Sequence, residues 1–231
     1  MAEIVDIGHE VDLSEYDSTA TDSGDLSQAG GAALASTSGG LSVVVDDANI
    51  IYGQKDFVRL SGTSYRVRVY LDPNGFSMSD GDHLIVCQLN NSGDYRMRIG
   101  LSLSGASYQV RAQVYDDGGS SDTVGPVTIS DAEHYIEVLV TYASGADAED
   151  GVITLWVDGG QEDTDTTVDL FTRLQPDGVQ LGALNFIVGT PTGTLYLDEL
   201  VVRDDNSEIG AVSVGGIPIG AIAIHHRRQR A

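Results

Sequence analysis

The stretch "SYRVRVYLD" at residues 64–72 alternates without a break. Successive side chains on a strand point to opposite faces, so Tyr65, Val67, Val69 and Leu71 share one side and Arg66, Arg68 and Tyr70 the other. The same period recurs on both sides of it, at "LSVVVD" (41–46), "DHLIVCQLN" (82–90), "DYRMRIGLSL" (94–103) and "SYQVRAQVYD" (107–116). It continues through "HYIEVLVTYA" (134–143), "VITLWVDG" (152–159), "VQLGALNFIV" (179–188) and "GTLYLDELVVR" (193–203). Between these runs stand "DPNG", "NNSGD", "SGAS" and "DDGGSS", whose Gly, Asn and Asp favour tight turns. Helical periodicity is almost absent. This many antiparallel strands must stack as two sheets to bury one face each, so the chain is expected to be an all-β antiparallel sandwich. Its core should include Val67, Val69, Met97, Ile99, Val110, Val138, Val140, Leu155, Val157, Leu195 and Leu197.

Composition narrows the partners. The chain of 231 residues suits one large all-β domain. With 35 acidic and 12 basic side chains its formal charge is -23, which argues against non-specific nucleic-acid binding, where a basic surface must neutralise phosphates. The lone Cys87 rules out an internal disulfide framework, and its apolar setting reads as a buried thiol. The first residues are acidic and lack the basic and apolar regions of a secretory leader. No run of 18 apolar residues is present, so no membrane insertion is expected. The chain is expected to be soluble and not exported by the general secretory route.

Three motifs occur in an order that resembles concanavalin A-like lectin/glucanase modules, the laminin-G-like jelly rolls. These are "DLSEYDST…GDLS…AAL…GGLSVVVDD" near the start, "ITLWVDG" in the middle and "GTLYLDELVV" near the end. The resemblance covers about residues 8–206 and implies a jelly roll. The expected division is an extended amino-terminal arm at 1–9, the domain at 10–206 and an extended carboxy-terminal arm at 207–231. It implies little about activity, since such modules include lectins, glycosidases and structural units.

Glycosidases of this superfamily carry an E-x-D-x-x-E carboxylate arrangement on one strand, and none is present here. Asp198 and Glu199 are adjacent on a strand and so should face opposite ways. His9, His83 and His134 stand isolated and read as surface or capping residues. The chain is therefore expected not to be an enzyme. Calcium is the one cofactor considered, because loop carboxylates suit a hard cation; Asp147, Asp150, Asp158 and Asp163 are its candidate ligands.

If the strands at 64–72, 94–103 and 107–116 are neighbours, one sheet face carries Arg66, Arg68, Arg96, Arg98 and Arg111. Tyr70, Gln113 and Tyr115 would join them, with Trp156 lining a groove nearby. Arg and Tyr are over-represented at recognition surfaces, which suggests a face for an acidic partner or an anionic glycan. The alternative is a solvated face whose arginines pair with carboxylates across strands, with Glu137 as one partner.

The chain finishes "GGIPIGAIAIHHRRQRA" (215–231). Ile217, Ile219, Ile222 and Ile224 alternate with a slip, followed by Arg227, Arg228 and Arg230. This reads as an assembly arm that adds to a neighbour's sheet edge. A lectin-like module without an export signal suggests a non-catalytic virion protein, a capsid decoration, head-fibre or tail component. Its partners would be other virion proteins, copies of itself and a host glycan. The alternative is a carbohydrate-binding lectin domain acting alone at a microbial surface.

Overall fold

The computed structural model of the chain describes residues 3–189 and 191–212. In chain order the first strands are β1 (Glu3–Ile7), β2 (Ser18–Ala20), β3 (Leu26–Ala29), β4 (Gly40–Val45) and β5 (Ile51–Asp56). Next come β6 (Ser64–Asp72), β7 (His83–Asn91), β8 (Asp94–Ser104), β9 (Ser107–Tyr115) and β10 (Ser121–Ile129). The last are β11 (His134–Thr141), β12 (Gly151–Val157), β13 (Gly160–Val168), β14 (Gly178–Val188) and β15 (Gly193–Arg203). Helix among the described residues is confined to 3₁₀ turns of three residues each.

The strands form two antiparallel sheets. The first has the order β13-β12-β11-β6-β15-β4-β3, with β1 beside β15 where β4 leaves off; the second runs β10-β9-β8-β7-β14-β5-β2. The two are stacked as a jelly-roll sandwich, as the alternation demands. The eleven core residues named from the pattern are all buried, and Leu41, Leu84, Leu101, Leu181 and Leu200 join them. The extended segment Glu3–Ile7 at the amino end is paired with Leu200–Arg203 of β15. Cys87 is buried, and burial pushes its thiol up to about 12.

Turn chemistry matches the hairpins. Asn91 pairs with Asp94, leaving Ser92 and Gly93 as a two-residue loop with φ of +51° and +90°. Positive φ at both positions is the twist-matched hairpin turn that glycine-containing pairs favour.

Three expectations change here. Asp163, read as a loop carboxylate, stands on the edge strand β13 ("GQEDTDTTV"), which is polar on both sides. His9 is not on the surface: it is fully buried, with Nδ1 3.1 Å from Asp198 Oδ1 and Nε2 2.6 Å from the Tyr16 hydroxyl. Asp198 also accepts from Leu34 N, Thr37 Oγ1 and Glu199 N, so this buried carboxylate has its lone pairs filled, as a charge taken out of water requires. His83 is buried as well, whereas His134 is half-buried and bonded through Nδ1 to Asp158 (2.6 Å).

Candidate functional site

The five arginines do not share a face. β6 lies in the first sheet, while β8 and β9 lie in the second, because the chain crosses from one sheet to the other between β6 and β7. The two outer faces therefore have different fates.

On the first sheet the polar face is used internally. Glu137 on β11 stands opposite Arg68 and forms an ion pair with Arg66 one step along. The Arg66 guanidinium lies 4.4 Å from the centroid of the Trp156 ring. Arg68 reaches Glu199 Oε2 at 3.1 Å and the Gly210 carbonyl at 3.0 Å. The segment after β15 then lies over this face. Ile209 N and Gly210 N donate to the two Glu137 oxygens, and Val212 N donates to the Tyr70 hydroxyl at 2.9 Å. Arg66, Arg68, Tyr70 and Glu137 are all buried as a result. Arg66 and Arg68 are thus taken up by cross-strand ion pairs.

Arg96 belongs to neither face. The β7–β8 register slips between the pairs Leu89–Met97 and Asn90–Tyr95, which leaves Arg96 as the extra residue of a bulge. Its Nε donates to the Leu174 carbonyl at 2.8 Å. Its charge acts on the Tyr65 and Tyr142 phenols, whose pKa values burial raises and Arg96 partly offsets.

On the outer face of the second sheet, Arg98, Arg111, Gln113 and Tyr115 do come together. Gln88, Arg98 and Gln113 stand in register on β7, β8 and β9, and Gly100 stands beside Arg111. Arg98 Nε donates to Gln88 Oε1 at 3.3 Å, and Gln88 Nε2 donates to Gln180 Oε1 at 3.0 Å. The same guanidinium sits 3.1 Å from the centroid of the Tyr95 ring. The Tyr95 and Tyr115 hydroxyls are 2.7 Å apart, their rings meet edge to face, and Arg173 lies 5.8 Å from the Tyr115 ring. Burial raises the Tyr115 pKa, Tyr95 adds to the rise and Arg98 opposes it. Arg111 donates to Ser102 Oγ at 3.3 Å and leaves its Nε without a partner.

His83 completes this face. Its ring lies over Gly100, where a Cβ would overlap Nε2, and that nitrogen has no hydrogen-bond partner. Burial, then the charges of Arg111 and Arg98, lower its pKa to about 4. The imidazole is therefore neutral at pH 7. Beyond Gln180, a cleft of about 420 Å³ between β5, β14 and β7 is lined by Gln54, Asp56, Asn90, Asp177 and Gln180.

His83, Gln88, Tyr95, Arg173 and Gln180 were not among the residues expected from the sequence. Two bulges hide the set. His83 and Gln88 are five apart and Tyr95 and Arg98 three apart, odd separations that a regular strand would put on opposite faces. The register slips at Val86 and at Arg96 bring each pair to one side.

The calcium candidates do not converge. Asp150 caps Ser144, Asp158 holds His134 and Tyr135 N, and Asp163 accepts from Gly125 N, while Asp147 stands on an exposed loop. Among the described residues, the carboxylates close enough to share an ion are Asp22, Asp46 and Asp47, a surface cluster. Ile217, Ile219, Ile222, Ile224, Arg227, Arg228 and Arg230 lie outside the described residues.

No family model and no curated protein matches the sequence. Solved structures do match. An endo-β-1,4-glucuronan lyase from the fungus Trichoderma reesei is similar with a TM-score of 0.64 and 14% identity, over 87% of this chain and 95% of that one. An alginate lyase solved with alginate trisaccharide is similar at a TM-score of 0.55 and 13% identity, over 89% and 100%. The binding domain of botulinum neurotoxin serotype G follows at 0.61 and 10%, over 90% of this chain and 49% of that one. These likenesses show the jelly-roll sandwich fold. They also overturn the expectation of a non-catalytic virion protein: polysaccharide lyases recur among the neighbours, and capsid, tail and decoration roles gain no support from them. The missing E-x-D-x-x-E carboxylates counted against hydrolysis only, and a lyase does not hydrolyse.

Proposed function

We propose that the outer face of the second sheet binds an acidic polysaccharide and cleaves it by β-elimination at a uronate residue. The observation that carries this is the placement of Arg98 between the Tyr95–Tyr115 pair on one side and neutral His83 on the other. Elimination asks for that order. The proton on the carbon next to the carboxylate is removed, the carbon–oxygen bond to the neighbouring sugar breaks, and a carbon–carbon double bond forms between the two ring carbons. The departing oxygen keeps the bonding electrons and takes up a proton.

Each need has a group. The Arg98 guanidinium, with Arg111 and the Gln88 amide beside it, neutralises the uronate carboxylate and so acidifies the adjacent C–H. His83 is neutral above about pH 4, and Nδ1, the ring nitrogen that is not buried against Gly100, is the atom that accepts that proton. Tyr115, whose pKa is raised, stays protonated and supplies the proton to the departing oxygen. His83 stands in register with Ser102 and Tyr115 lies beyond Gln113, so base and acid come from opposite sides of a sugar held at Arg98. The glucuronan and alginate lyases among the structures of similar fold support the choice of a polyuronate as substrate.

The test is to incubate the full chain with β-1,4-glucuronan, alginate and other polyuronates and follow the ultraviolet absorbance of the unsaturated product. Arg98→Ala and His83→Ala should each abolish it. Reducing ends that appear without absorbance, or binding without cleavage of any polyuronate, would overturn the proposal.

A further inference from the structure

One residue from each strand of the second sheet stands in a single cross-strand row. It runs Ser18, Gln54, Gln180, Gln88, Arg98, Gln113 and Thr123, each in register with the next. At about 4.8 Å between neighbouring strands the row spans roughly 29 Å, enough for several sugar residues laid across the strands. Its charge is uneven. Arg98 is the one charged member, and Arg111 and Arg173 lie on its side of the face, with Asp94 beside the tyrosine pair.

The β7–β14–β5 half has the opposite character. The cleft there carries the carboxylates of Asp56 and Asp177, and none of its lining residues is a cation. Lys55 on the same strand is held at 3.1 Å by Asp17. The remaining polar side chains are amides and the Ser92 hydroxyl: Gln54 Nε2 donates to Asp56 Oδ1 at 2.5 Å, Asn90 Nδ2 reaches Gln54 Oε1 at 3.5 Å, and Ser92 N donates to Asp177 Oδ1 at 3.1 Å. A Cβ at Gly178 would lie 2.6 Å from Gln54 and 2.8 Å from Asn90, so these side chains close over a bare floor. Amides donate and accept as sugar hydroxyls do, and free carboxylate oxygens accept from hydroxyls. A second uronate in this cleft would put like charges together in a partly desolvated place.

We infer that this cleft is a subsite for an uncharged sugar, so that the substrate is a mixed polymer in which a uronate at Arg98 is flanked by neutral residues on the β5 side. The inference rests on the elimination proposed above for its uronate, but the subsite is tested by binding alone. Neutral gluco-, manno- and xylo-oligosaccharides are titrated into the full chain by calorimetry and by backbone amide shifts. At least one series should bind and shift residues 54, 90 and 180, with affinity about tenfold weaker in Gln54→Ala/Gln180→Ala. In parallel, Asp56→Asn/Asp177→Asn should raise turnover of a homopolyuronate about fivefold, since two repelling charges are gone and their acceptor oxygens remain.

Failure of every neutral series to bind at this cleft, with polyuronate cleavage intact, would sink the subsite and leave the elimination standing. Oligoglucuronate that shifts residues 54 and 180 as strongly as any neutral series would also sink it. Neutral oligosaccharide bound there in a chain that cleaves nothing would keep the subsite and remove the elimination.

Discussion

The ring of His83 fills the space that Gly100 leaves by having no side chain. Gly100 has ordinary extended backbone on β8, so the glycine is needed for room and not for conformation. Gly100→Ala should push the imidazole off the sheet face, at a cost of about 1–3 kcal/mol for an overpacked site. Elimination should fall far more than stability, because the base is displaced while the sandwich survives. Urea denaturation alongside turnover separates the two. An alanine variant with native turnover would remove His83 from the reaction.

The same residue sets a pH dependence. An unperturbed histidine titrates near 6.5, and in the folded chain His83 does so at about 4. Between these values the unfolded chain binds a proton that the folded chain refuses, so stability falls as pH drops from about 6.5 towards 4. Above that window the contribution is complete. Thermal midpoints measured through this range should decline with acid, and His83→Asn should flatten the decline. An equal decline in the variant would assign the acid sensitivity to other groups.

On the opposite face, Glu137 is the acceptor for Arg66, Ile209 N and Gly210 N at once. Glu137→Ala would leave a buried guanidinium and two half-buried N–H groups without their partner, a loss of about 3–5 kcal/mol. Glu137→Gln keeps the acceptor oxygen and should cost less. Proteolysis within residues 204–212 should accelerate in the alanine variant, while polysaccharide binding on the other sheet stays the same. Loss of polysaccharide binding without loss of stability would mean the two faces have been assigned the wrong way round.

The strands with alternating apolar residues were legible from the sequence, with β6 matching to the residue and β15 doing so despite the bulge after Asp198. An apolar face packed into the core cannot hide its period, even where, as in β6, the polar residues between are buried as well. What the period misses is polar on both sides or broken: β13 with "GQEDTDTTV", β5 with "IYGQKD" and β10 with its bulge before Val127. The site was harder for two reasons. Neighbouring strands in sequence are split between sheets by the jelly-roll connections, so Arg66 and Arg98 look alike in their motifs and end on opposite faces. Parity, the tool that placed the core, fails at the bulges of Val86 and Arg96, and those are where His83 and Tyr95 join the face.

Arg98 and Arg66 therefore make the sharpest comparison. Both are buried arginines against an aromatic ring, Arg98 on Tyr95 and Arg66 on Trp156, but one faces an amide and the other a carboxylate. Lysine keeps the charge and loses both the planar stack and the fork of donors. Arg98→Lys should lower kcat/KM on a polyuronate about tenfold or more, because the Nε donor to Gln88 and the fixed guanidinium plane are gone. Its thermal midpoint should shift little, since Gln88 keeps its bond to Gln180. Arg66→Lys should do the reverse: the midpoint drops as the pair with Glu137 loosens, and kcat/KM stays within about twofold. If both variants lose stability and neither loses turnover, Arg98 is a structural residue like Arg66, and the carboxylate must be held elsewhere on the sheet.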